Sequence, residues 1–140
     1  MNLRKRLWTF FTQLYPLWLK CRYKMDIGKN CRISWKAHLD KSVNPKGIHI
    51  GDNSWVLSDA MILSHDYCRG LITDTRIGKN CVIGIRSIIM PGVTVGDECV
   101  IGGGSIVTKD VPNNCIVAGN PSCVIRENIK VCNGKIISAQ

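Results

Sequence analysis

From Ile27 onward an aliphatic residue returns every six positions, and few folds accept that period. The first block runs Ile27, Ile33, Leu39; a second restarts at Ile50 and continues through Val56 to Ile62. A third reads Ile77, Ile83, Ile89, Val95, Ile101, Val107. Four residues after each aliphatic comes a small or short side chain: Cys31, Ala37, Val43, Ser54, Ala60, Cys81, Ser87, Val93, Cys99, Ser105, Val111. Glycine often follows the aliphatic, at 28, 51, 78, 84, 96 and 102. Neither the helical nor the simple strand period fits this pattern. A short flat followed by a corner, three times per turn, does fit, and predicts an eighteen-residue triangular coil. The aliphatics would stack inward, the small residues would sit at tight corners, and glycine would ease the bend. Stacked coils then pair their backbones as three parallel sheets, with roughly five coils in all.

The chain has 140 residues, enough for one domain with its own core. Six of its nine aromatic residues precede position 24, so the repeat core is filled by Ile, Val and small side chains. The net charge is +9, and Arg4, Lys5, Arg6, Lys20, Arg22 and Lys24 carry six of those charges with no acid before Asp26. No zinc-finger, homeodomain or RNA-binding signature accompanies them, which argues against a nucleic-acid partner. Residues 1–25 read as a basic amphipathic helical segment. The apolar stretch Leu7–Leu19 falls short of the roughly 20 residues a spanning helix needs. Arg-Lys-Arg before an apolar run imitates a secretion signal, but no small-x-small cleavage site follows. Pro16 is expected to kink or divide the helix. Two roles are open for residues 3–24: a helix packed on the rest of the protein, or an interfacial anchor on anionic lipid. The eight cysteines include no CxxC pair, and Cys31, Cys81 and Cys99 have corner positions in the repeat, so reduced thiols are expected.

The run Ile77–Asn128, ending in Val107-Thr-Lys-Asp-Val-Pro, Ala118-Gly-Asn-Pro and Val124-Ile-Arg, resembles the hexapeptide-repeat acyltransferase superfamily. Its nearest branch holds maltose, galactoside and serine acetyltransferases and those of polysaccharide clusters. The resemblance implies an all-β, left-handed parallel β-helix over residues 26–127 with a short N-terminal helix before it and a C-terminal tail, 128–140, after it. The left hand comes from the resemblance alone, since about 98% of parallel crossovers are right-handed. It also implies acetyl-CoA as co-substrate, a homotrimer with sites between subunits, and a cytoplasmic enzyme, with membrane association as a further option. The acceptor would be a hydroxyl or amine of a sugar, nucleotide sugar or surface polysaccharide precursor. Alternatives are a non-catalytic scaffold and a serine or xenobiotic O-acetyltransferase. The carbonic anhydrase-like branch needs three zinc-binding histidines; His38 and His49 lie outside its spacing, so no metal is expected.

The repeat breaks between Ile62 and Ile77, and an ejected loop in a strict solenoid is where function concentrates. His65 opens that loop. Histidine titrates near neutrality, which suits removal of the acceptor's proton during attack on a thioester. The resemblance places the catalytic base here, with Asp66 or Asp59 as candidates to orient its ring. His38 and His49 read as ordinary outward-facing side chains. No Cys-His arrangement suggests an acyl-enzyme, so direct attack is expected. By resemblance the oxyanion meets a backbone N–H at Gly84-Ile85, and coenzyme A contacts Ile85, Gly103, Thr108, Lys109 and Arg126. Cys123 stands where the family often has a basic residue, with Arg126 or Lys130 as substitutes.

Overall fold

The structure, a computed structural model, describes residues 2–139. The aliphatic repeat does form a three-faced coil. In the first turn β1 (Asp26–Ile27), β2 (Arg32–Ile33) and β3 (His38–Leu39) each start a different sheet. The second turn adds β4 (Ile48–Ile50), β5 (Trp55–Val56) and β6 (Met61–Ile62), followed by a hairpin of β7 (His65–Asp66) and β8 (Leu71–Ile72). The third is β9 (Thr75–Ile77), β10 (Val82–Ile83) and β11 (Ile88–Ile89), and the fourth β12 (Thr94–Val95), β13 (Val100–Ile101) and β14 (Ile106–Val107). The parallel orders are β1-β4-β9-β12, β2-β5-β10-β13 and β3-β6-β11-β14. After them β15 (Ile116–Gly119) extends the second sheet in parallel and β16 (Ser122–Arg126) folds back antiparallel on it.

Each inward aliphatic stacks on its equivalent one coil away: Ile33 on Val56, Val56 on Ile83, Ile83 on Ile101, all buried. At about 1.5–3 kcal/mol per fully buried aliphatic side chain, this column is the main source of cohesion. Cys31, Ser54, Cys81, Cys99 and Cys115 line one corner, all buried, and the cysteines are free thiols. The glycines after the aliphatics serve a purpose other than easing the bend. Positive φ sits two residues later, on Asn30, Asn53, Asn80 and Glu98. Gly78 is required by close approach instead, since a Cβ there would lie 2.6 Å from Gly96 O in the next coil.

The coils are not all eighteen residues. Ile27 pairs with Ile50, Ile50 with Ile77, Ile77 with Val95 and Val95 with Val111, so they take 23, 27, 18 and 16 residues. Val111 therefore occupies an inward aliphatic position, not the small corner position its spacing suggested. Val43 leaves the pattern too, in an exposed insertion that follows β3.

The N-terminal segment is one helix, α1 (Leu3–Tyr23), and it runs through Pro16 without dividing. It lies on β1 and β2, buries Thr12 and Pro16 and places Leu19 in the core. At the other end, the expected tail is an ordered hairpin of β17 (Ile129–Cys132) and β18 (Lys135–Ala139). Ile129 and Val131 are buried, Val131 N–H donates to Glu98 Oε2 (3.0 Å), and Gly134 rests against the Trp55 ring.

Candidate active site

The two long coils place their extra residues at the same corner, where the third sheet gives way to the first. From the first coil this corner receives residues 40–47, and from the second the hairpin that carries His65. The two insertions are tied together at the hairpin's neck. Thr73 N–H donates to Ser64 O (3.0 Å), and the Asn44 side-chain amide donates to Ser64 O and Thr73 O (3.3 and 3.2 Å). Thr75 Oγ1 donates to Leu63 O and accepts from Gly92 N–H, fixing the neck to the third coil.

Within this frame His65 Nδ1 is hydrogen-bonded to Asp40 Oδ2. The Asp40 side chain is fully buried, while that of His65 is one-fifth exposed. Asp40 also accepts from the N–H groups of Ser42 and Val43 (3.3 and 3.1 Å). The Ser64 hydroxyl, 2.9 Å from Asp40 Oδ2 and 2.6 Å from Asn44 O, can donate to either. Burial alone would raise the Asp40 pKa, but the bonds from His65, Val43 N–H and Ser64 outweigh it and hold the carboxyl down at about 2. Asp40 is thus an anion that can only accept. It fixes the proton of a neutral His65 ring on Nδ1 and leaves the Nε2 lone pair for chemistry.

The orienting acid is therefore neither Asp66 nor Asp59. The Asp66 carboxylate turns to Arg69 Nε (2.6 Å) and to the N–H groups of Cys68 and Arg69, with the Arg69 bond the largest cause of its lowered pKa. Asp59 sits at a corner between the second and third sheets with φ of 60°. Asp40 lies 25 positions from His65, outside both the hairpin and its coil. Its one sequence signal was the interruption after Leu39. Tyr67 stands edge-on to His65 with ring centroids 5.3 Å apart, and together with Val43, Leu71 and Ile72 the two line an open cavity of about 210 Å³.

The remaining expected residues fall in three places. Ile85 and Gly103 adjoin at the corner between the second and third sheets, where Gly104 N–H donates to Ile85 O (2.8 Å). A Cβ on Gly103 would meet only Ile85 O, at 3.3 Å, so the outer side of this corner is open to a ligand. Gly104 has φ of +68°, which the turn itself requires. Thr108 and Lys109 are exposed after β14, at the hairpin's corner two coils further on; Arg126 is exposed at the end of β16. The His65 and Ile85–Gly103 groups thus flank opposite edges of the third sheet. His38 is exposed on β3, whereas His49 bridges two carboxylates, Asp26 (2.9 Å) and Asp74 (3.1 Å). Among the described residues no three His, Cys, Asp or Glu side chains converge as a metal site.

A three-sheeted parallel coil whose ejected hairpin carries a histidine bonded to an aspartate of the preceding coil defines a class, and comparison with known proteins gives its family. Residues 74–109 match the family model described as the hexapeptide repeat of succinyl-transferase. The chain is 36% identical over 107 residues to YvoF of Bacillus subtilis (strain 168), assigned as an acetyltransferase, covering 73% of this chain and 60% of that one. The crystal structure of the polySia specific acetyltransferase NeuO superposes with a TM-score of 0.66 at 32% identity, over 76% of this chain and 53% of that one. A hexapeptide-repeat acetyltransferase of Vibrio cholerae O1 biovar eltor, complexed with acetyl coenzyme A, shares the fold (TM-score 0.59, 22% identity, 81% and 75% coverage). The chain belongs to the hexapeptide-repeat acyltransferase superfamily. It spans 25% to 60% of the length of the first curated relatives it matches.

Proposed function

We propose that the protein is an acyltransferase that moves the acetyl group of acetyl-CoA to a sugar hydroxyl or amine, with His65 as general base. The observation that carries this reading is the His65 ring held by a buried, ionised Asp40 beside an open cavity. The acceptor's oxygen or nitrogen attacks the thioester carbonyl carbon while His65 Nε2 takes its proton. The Asp40 charge stabilises the imidazolium that forms. The tetrahedral oxyanion collapses, the carbon–sulfur bond breaks, and His65 returns the proton to the departing thiolate, giving the acetylated acceptor and free coenzyme A. A sugar acceptor is supported by the specificity of NeuO, and acetyl-CoA by the complexed Vibrio cholerae relative. Tyr67, with its ring face open to solvent, is suited to packing against a pyranose.

Coenzyme A would lie past the open Ile85–Gly103 corner, with Lys109 and Arg126 toward its phosphates. Because the Ile85–Gly103 corner and the His65 hairpin lie at opposite ends of the third sheet's strands, we propose side-by-side copies of a left-handed coil in which the corner of one meets the hairpin of the next, as a homotrimer. The test is free-thiol release from acetyl-CoA over a panel of sugars and nucleotide sugars, with wild type beside His65→Ala. Turnover on one acceptor class, lowered about 10²–10⁴-fold in the variant, is the expected result. Turnover unchanged in the variant would remove His65 from the mechanism.

A further inference from the structure

One face of α1 is used by the fold and the opposite face is not. Thr12, Pro16 and Leu19 point into the protein. Leu3, Leu7, Phe10, Leu14 and Leu17, spaced alternately by four and three residues, form a single stripe on the other side and are between 41% and 70% exposed. Trp8, Phe11 and Trp18 widen this apolar surface toward the coil, where the exposed Trp35 continues it. At 100° per residue, Arg4 and Arg22 fall on one flank of the stripe and Arg6 and Lys20 on the other. The helix has no acidic residue, and among the described residues no carboxylate forms an ion pair with any of its cations.

We propose that α1 seats the protein on an anionic lipid surface, with the Leu3–Leu17 stripe in the acyl–headgroup boundary and the flanking Arg and Lys residues on lipid phosphates. Charge selects this occupant. A second copy of the helix packed on the stripe would bring two all-cationic flanks together with no acid to relieve them, whereas anionic headgroups complement them directly. The side-chain types agree: aromatic rings and leucines sit at the boundary, and long cationic stems reach back to the phosphates. No described helix is long and apolar enough to cross a membrane, and the stripe is one-sided, which fits a helix lying in the surface plane. Acetyl transfer is not needed for this inference.

The experiment is co-sedimentation of the full chain with vesicles of phosphatidylcholine alone and of phosphatidylcholine mixed with phosphatidylglycerol, at low and high salt. Two double variants accompany wild type: Phe10→Glu with Leu17→Glu, and Arg4→Glu with Arg6→Glu. All four positions are exposed, so circular dichroism and Tm should match wild type. Wild type is expected to pellet with the phosphatidylglycerol vesicles, not with phosphatidylcholine, and to be released by salt. Each double variant should lose binding by about tenfold or more. Failure of wild type to pellet with anionic vesicles would overturn the proposal, as would full binding by the Phe10/Leu17 variant. Light scattering that shows wild type as an oligomer and this variant as a monomer, without vesicle binding by either, would give the stripe to self-association instead.

Discussion

Replacing Asp40 by Asn tests the pairing on which the mechanism turns. The substitution keeps the size of the side chain and an oxygen that can accept from the His65 Nδ1–H and from the Ser42 and Val43 N–H groups, but it removes the charge. In the folded protein the Asp40 carboxyl lies at about 2 against an ordinary 3.8. His65 is the largest of the partners that favour the anion, and a hydrogen bond to a charged group is worth about 1.5–3 kcal/mol. The same coupling acts on the imidazolium formed as the acceptor attacks. The expected outcome is a kcat lowered roughly 10- to 150-fold, with KM for acetyl-CoA and acceptor within about threefold of wild type. Steady-state thiol release on Asp40→Asn, His65→Ala and the double variant gives the numbers. The double variant should be no slower than His65→Ala, because a charge that acts through a base has nothing left to act on. Additive losses, or a loss confined to KM, would mean that Asp40 does not act through His65.

Three further outcomes follow from the same structure. The Asp40 pKa is lowered on folding, so its contribution to stability is complete above about 3.8 and is lost as pH falls toward about 2. Urea midpoints taken through that range should fall more steeply for wild type than for Asp40→Asn, and parallel curves would contradict the buried anion. Ile83 is fully buried between Val56 and Ile101, so Ile83→Ala should cost about 2–5 kcal/mol in urea unfolding. Gly103→Val places side chain on the open outer face of its corner, so Tm should change little while KM for acetyl-CoA rises about tenfold or more; an unchanged KM would take coenzyme A away from that corner.

The coil was legible from the residues alone, because a solenoid repeats one local rule. Each aliphatic at Ile27, Ile33, Ile50, Val56, Ile77 or Ile83 needs only its equivalent in the next coil, so periodicity and core are the same information. The sequence also exposed the places where the rule stops, after Leu39 and after Ile62, and thereby His65. It could not pair those places. Whether Asp40 reaches His65 depends on two insertions of different length leaving the same corner and being tied by Asn44, Ser64 and Thr73, and no hexapeptide register encodes that. Asp66 and Asp59 were the nearer acids along the chain, but Arg69 holds one and a corner holds the other. The same limit applies at the last coil, where a turn two residues short shifts Val111 from corner to core. At both ends composition was readable and partnership was not. The basic, aromatic character of residues 3–24 stands in the sequence, but which side of the helix the coil would cover was a matter of packing. Only the burial of Thr12, Pro16 and Leu19 decided that the leucine stripe faces outward.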